Sequence, residues 1–442
     1  MKTFETSTRF DWLTASEDKG GRLFANAIEQ CVDLSDVAIV HQGIDTLKPR
    51  FHGSYNAPFI DKVRLYEINK SNFSVFNLAD IDFIFKFSGK TAGYKFMLQA
   101  KALGVIVHFG DIFSKEWFAD DKAKIKIEYS PNFILENGME HVIYFNNYLV
   151  SCMMAEYVPA GVDVHLCTDL QGWSPEHTII DDMVTMTRRK TSYSGIDTLE
   201  QDLTMSAVKY GSNDSFLFGK ASSSQLAIYN KTKESIYSGK SSFWLDVYNE
   251  SLLFNSTKEV FRVELRLPAS VVKNLASKDD PSKHYEINSL ETLIDHLNSL
   301  WQYGLSKLFR FDYSTSKIIQ PIWQLLLEEC AFNDSIITNE YKRVYRSSDA
   351  SIDANIKQML GHLTSALAKS GVCDSDLEDT VKSLPFYNQI LDYALEKKGL
   401  TEEGFFYELS EKLKLKRIEF DGLAARSHLD FRKYRRLYSQ PI

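Results

Sequence analysis

The hydrophobic period of this chain changes once along its length, and that change limits the folds open to it. From 37 to about 283 the apolar residues fall into short pieces of strand type, rich in β-branched and aromatic side chains: 46–51, 94–98, 105–109, 124–129, 162–169, 225–229 and 260–267. Residues 100–104 read as a hairpin turn between two of them. From Asn288 onward the period is that of a helix. Asn288, with Glu291 three residues on, forms a capping-box-like start, and Leu290, Leu293, Ile294, Leu297 and Trp301 fall on one face. Further helices are expected near 322–330, 355–369, 385–398 and 402–415, with Gly371 and Gly399 stopping two of them. Phe24, Ala27 and Ile28 stand at helical spacing in the lead. The expected fold class is α+β: an antiparallel-sheet domain with packed helices over 38–285, a helical N-terminal extension over 1–37, and an all-helical C-terminal region over 286–442.

Composition narrows the class further. A chain of 442 residues, 44% of them hydrophobic, buries real cores, which excludes simple disorder and fibrous repeats. No stretch approaches the roughly 20 consecutive apolar residues of a membrane helix. The first residues mix charges with Phe and Trp, so a cytoplasmic protein with no membrane partner is expected. Five cysteines, Cys31, Cys152, Cys167, Cys330 and Cys373, are widely spaced with no CxxC pair, and read as reduced thiols. The net charge of −8 argues against a chain coated in nucleic acid. Binding answers to the local field, however, and between Glu411 and Arg436 the balance reverses. Lys412, Lys414, Lys416, Arg417, Arg426, Arg432, Lys433, Arg435 and Arg436 there face Glu411, Glu419, Asp421 and Asp430, making a cationic arm that a solvated helix face also explains. Arg188, Arg189 and Lys190 form a smaller basic cluster.

Alternation along a strand tells which side chains share a face. In 162–169, Val162, Val164 and Leu166 take one face, and Asp163, His165, Cys167 and Asp169 the other. In 261–267 the apolar residues alternate strictly with Arg262, Glu264 and Arg266. In 226–229, Leu226 and Ile228 pack while Ala227 and Tyr229 turn away. If these strands are neighbours, one exposed face gathers His165, Asp169, Glu264 and Tyr229. Imidazole and carboxylates suit a divalent ion, Mg²⁺ or Mn²⁺, and a nearby phenol can attack phosphorus. A wet outer face explains the same alternation without any site.

A motif adds to this reading. Phe218-Gly219-Lys220-Ala221-Ser222-Ser223, then Gln225-Leu226-Ala227-Ile228-Tyr229-Asn230-Lys231-Thr232-Lys233-Glu234, resembles the tyrosine-type rolling-circle replication initiators of plasmids and phages, the Rep trans class. Arg262-Val263-Glu264 matches their Arg-x-Glu strand, and His165 and Asp169 occupy two acidic positions four apart. Gly43-Ile44-Asp45-Thr46-Leu47 resembles their opening strand, and Thr187-Arg188-Arg189 their inserted basic helix. The resemblance covers roughly 43–267. It departs from the family at Ala227, where an arginine is usual, and at His165, where an aspartate is usual.

The resemblance implies an enzyme that nicks one DNA strand at an origin, keeps the 5′ end as a phosphotyrosine, leaves a 3′ hydroxyl as primer, and later rejoins the strand. Tyr229 is then the nucleophile, assisted by Lys231 and by Glu234 as base or further ligand. His165, Asp169 and Glu264 hold the metal. DNA contacts are expected from Lys220, Arg188, Arg189, Lys190, Arg262, Arg266, Arg432, Lys433, Arg435 and Arg436. Origin DNA, single-stranded or as an extruded hairpin, is the expected partner, with a host helicase and a second copy of the chain as further ones. The chain has no complete Gly-x-x-x-x-Gly-Lys-Ser/Thr phosphate loop of its own: Gly89-Lys90-Thr91 and Gly239-Lys240-Ser241 lack the first glycine, with Ile84 and Glu234 in its place. A mobilisation relaxase with the same chemistry and an inactive DNA-binding regulator of the same fold are the alternatives.

Overall fold

The computed structural model describes residues 11–12, 23–25, 31–69, 74–88, 93–110, 123–176, 179–185, 190–193, 215–220, 223–313, 318–333, 339–344, 350–397 and 399–428. They fall in two compact units, Met1–Val344 and Tyr345–Ile442. The class is α+β.

Eleven strands of the first unit make one sheet. In chain order they are β1 (Ala38–Tyr55), β2 (Ser74–Leu78), β3 (Ile81–Phe87), β4 (Phe96–Ala100), β5 (Val105–Phe109), β6 (Ala123–Tyr129), β7 (Met154–Gln171), β8 (Lys190–Tyr193), β9 (Ser215–Gly219), β10 (Gln225–Asn230) and β11 (Phe261–Leu267). They lie in the order β8-β9-β10-β11-β7-β1-β6-β5-β4-β3-β2, each pair antiparallel. The two 18-residue strands β1 and β7 pair along their length at the centre. Gly104, at φ 75°, closes the β4–β5 hairpin where the turn was expected.

One face of the sheet carries the core. Val162, Val164, Leu166, Leu226, Ile228, Val263, Leu265 and Leu267 are all buried in it, as their alternation requires. Toward β2 the same core becomes aromatic, with Phe59, Phe76, Phe85, Phe96 and Phe109 in edge and stacked contacts.

Two expected boundaries change. The lead is not helical where it is described: Asp11–Trp12, Leu23–Ala25 and Cys31–Asp33 form a three-stranded antiparallel sheet, with Phe24 opposite both Trp12 and Val32. Nor does the helical region begin at 286. The helices Leu290–Ile294, Leu297–Tyr303 and Pro321–Glu329 bury Leu293, Leu297, Leu300, Trp301 and Trp323 in the sheet's own core, so their apolar stripe completes the first unit. Gly304 permits this approach, because a Cβ there would stand 2.1 Å from Leu265 Cδ2. The helix cap is Ser289, which accepts from the Thr292 amide, one residue beyond the expected Asn288.

The second unit is helical throughout its described residues. Ala350–Lys369, Leu377–Lys382, Tyr387–Asp392 and Glu402–His428 enclose Leu367, Val381, Ile390, Phe405, Leu409 and Leu413. Gly371 and Gly399 take positive φ near two helix ends. No described helix is long and apolar enough to cross a membrane.

Candidate tyrosine and metal site

On the face opposite the core, strand register brings distant residues into rows. Tyr229 of β10 stands opposite Arg262 of β11, which stands opposite Asp169 of β7; Ala227, Glu264 and Cys167 make the next row, and Gln225, Arg266 and His165 the third. Tyr229, Glu264 and His165 come together. The Tyr229 hydroxyl donates to Glu264 Oε2 at 3.0 Å, and His165 Nδ1 lies 3.1 Å from Glu264 Oε1. Arg266 grips the same carboxylate from its side, Nε to Oε1 at 2.8 Å and Nη2 to Oε2 at 3.0 Å. Burial alone would raise the Glu264 pKa. The Arg266 charge and the hydrogen bonds from His165 and Arg266 outweigh it and hold this carboxyl well below its ordinary range.

Asp169 does not join this group. Its two oxygens accept from Arg262 Nε at 2.6 Å and Nη2 at 2.7 Å, and Tyr248 donates to Oδ2 at 2.9 Å. Both partners of the fork are fully enclosed. Asp169, expected as a metal ligand, is held here in this bidentate fork. The same contacts enclose Arg262, expected as a DNA contact. Its ring neighbour is Trp244, 4.2 Å from Cζ, and its remaining nitrogen pairs with Asp45.

Asp45 is the residue the sequence reading missed. It sits at a register shift in β1, where His165 pairs with Thr46 but Leu166 pairs with Ile44. This bulge re-aims a side chain that strict alternation would assign elsewhere. The sequence does carry a signal: Ile44 and Leu47 both face the core although three residues apart, which period two forbids. Asp45, His165 and Glu264 each offer one ligand atom, all within 4.8 Å of one another. Two carboxylates and an imidazole fit Mg²⁺ or Mn²⁺, for which ligands on opposite sides of the ion stand about 4 Å apart.

The face is not exposed, as the sequence suggested it would be. Tyr229 is 3% exposed. Burial, then the Glu264 charge, pushes its phenol well above the ordinary value, so it stands here as a protonated donor. The strand ends at Asn230, whose side chain caps the helix Lys231–Tyr237 by accepting from the Lys233 amide at 3.0 Å. Lys231 therefore leads a helix instead of continuing the strand. Its ammonium pairs with Glu234 and lies 4.5 Å from the Trp244 ring centroid and 5.8 Å from that of Tyr229. Glu234 is thus a partner of Lys231 and stands outside the Asp45, His165 and Glu264 group. His41, edge-on to Trp244 at 5.7 Å, is held neutral by burial.

Lys220 is exposed at the β9–β10 turn. Arg188 and Arg189, Arg432, Lys433, Arg435 and Arg436 lie outside the described residues, as does the side chain of Lys190. In the described part of the basic arm, Lys412 pairs with Glu408, Lys414 with Glu411 and Arg417 with Asp374.

No protein-family model matches the chain. A relative in Pseudomonas phage Pf1, the uncharacterized protein ORF430, is 26% identical over 397 residues, spanning 85% of this chain and 89% of that protein. A solved structure of a rolling circle replication initiator protein from Geobacillus stearothermophilus is 13% identical, with a TM-score of 0.35, covering 65% of this chain and 95% of that one.

Proposed function

We propose that this chain initiates rolling-circle DNA replication, with Tyr229 attacking one strand at an origin in the presence of a divalent metal. The carrying observation is the 3.0 Å hydrogen bond from the Tyr229 hydroxyl to Glu264, the carboxylate that also meets His165. A phenol and a metal-suited group thereby share one atom-scale site. When bound, a divalent cation supplies positive charge beside Asp45 and Glu264 and polarises a phosphate oxygen.

The chain's own residues account for the rest. Arg262 fixes Asp45 and Asp169, and through them the spacing of β1, β7 and β11. Glu264 orients the hydroxyl, whose proton passes to solvent as the phenolic oxygen bonds to phosphorus; the bond from phosphorus to the 3′ oxygen breaks, and that oxygen leaves as the primer hydroxyl after taking a proton. A phosphodiester is exchanged for a phosphotyrosine, so rejoining needs no added energy source. Lys231 faces the ring of the same tyrosine and offsets the charge that develops on phosphorus.

Incubating the protein with single-stranded origin DNA and Mn²⁺ is expected to give a covalent adduct on a denaturing gel, and Tyr229→Phe removes it. The second reading, an inactive regulator, is favoured by the enclosure of Tyr229. Sequence-specific binding with no adduct under either metal would establish it.

A further inference from the structure

We propose that Arg266 and the metal exclude each other at Glu264, so that metal binding releases Arg266 to hold a phosphate of the DNA. This deepens the function proposed above and rests on its metal site. An ionised carboxylate has about four lone-pair positions. At Glu264 four contacts reach them: Arg266 Nε and His165 Nδ1 at Oε1, Arg266 Nη2 and the Tyr229 hydroxyl at Oε2. A cation can enter only as one of these leaves. Tyr229, a hydroxyl, is a neutral partner that a cation tolerates. A guanidinium is not, because it repels a like charge at close range.

The two arginines of β11 differ in their enclosure. Arg262 is fully enclosed and locked by a fork on Asp169 with a third contact to Asp45. Arg266 has a side chain 10% exposed and sits in the outermost of the three rows, opposite Gln225 and His165. It can turn outward without unpairing Asp169 or Asp45. The register sets Ala227 directly opposite Glu264, and the guanidinium meeting Glu264 comes from Arg266.

The test measures Mn²⁺ affinity by electron paramagnetic resonance on the full chain, without DNA or turnover. Arg266→Gln is expected to tighten Mn²⁺ binding about tenfold, the effect of removing one competing close charge, and Arg266→Lys, which keeps charge but loses the fork, by less. A second measurement uses the wild-type chain: Mn²⁺ is expected to raise the rate of phenylglyoxal modification at Arg266, read by peptide mass spectrometry, several-fold. Unchanged or weaker Mn²⁺ binding in both folded variants, or an unchanged modification rate on saturation with Mn²⁺, overturns the exchange while leaving the metal site standing. Absence of Mn²⁺ binding in wild type and variants alike overturns both.

Discussion

Two buried charge clusters lie on the polar face of the same sheet, and they differ in what they can hold. Around Glu264 stand a second carboxylate, Asp45, an imidazole and a phenol, with Arg266 on Glu264 and Arg262 on Asp45. Around Glu128 of β6 stand Lys48 at 3.4 Å, Lys126 at 2.6 Å and His108 at 3.3 Å, with no second acid and no hydroxyl among these partners. Both carboxyls are driven far down in pKa against the opposing effect of burial. The second cluster sets two lysines and an imidazole around a single acid. The first combines two acids with side chains that offer lone pairs, which suits it to a cation. Burial and pKa alone do not distinguish a site from a structural ion cluster; the donor inventory does.

The largest effect that sharpens this contrast is expected at Glu264. Glu264→Gln leaves Arg266 facing an uncharged amide and disrupts the contact to Tyr229, so DNA adduct and Mn²⁺ binding are lost and unfolding by denaturant shows a loss of about 3–5 kcal/mol. Glu128→Gln breaks the other cluster. It strands Lys126 and Lys48, lowering stability by about 3 kcal/mol in the same measurement, while adduct yield per folded molecule and Mn²⁺ affinity stay at wild-type levels. A fall in Mn²⁺ affinity in that variant would break the comparison.

A smaller, graded effect is expected from pH. His41 and His108 are held neutral by burial, their pKa values below the ordinary one, so unfolded chains take up protons that folded chains do not as pH drops through about 6.5. Stability declines gently from there. Glu264, Asp169 and Glu128 have depressed values, so their contribution is intact above the ordinary carboxylate range and is lost as pH falls below about 4. Thermal unfolding at stepped pH checks both limbs. A midpoint that rises on acidification contradicts the assignment.

Much of this was legible in the sequence because alternation is a strong signal. The strings 162–169, 226–229 and 261–267 each separated core from polar residues, and the structure assembles all three as neighbours. Alternation failed at Asp45, where a bulge inserts one residue and the parity of β1 changes. It failed differently at Asp169. That residue shares the expected face, but the reach of an arginine one strand away decides whether a carboxylate is free, and reach is not written in periodicity. Ile81-Asp82-Phe83-Ile84-Phe85-Lys86-Phe87 alternates except at Ile84 and forms β3, a strand outside those expected above. The stripe from Leu290 to Trp301 looks like one helix, yet the chain breaks it into two, Leu290–Ile294 and Leu297–Tyr303, both of which press apolar residues into the sheet core.

The central claim is that the Tyr229 oxygen is where DNA becomes attached. Wild-type protein is incubated with origin single strand and Mn²⁺, digested with protease and nuclease, and mapped by mass spectrometry. The account predicts a nucleotide mass, joined through its 5′ phosphate, on the peptide containing Tyr229. A modified peptide carrying any other tyrosine, or attachment through a 3′ phosphate, contradicts it.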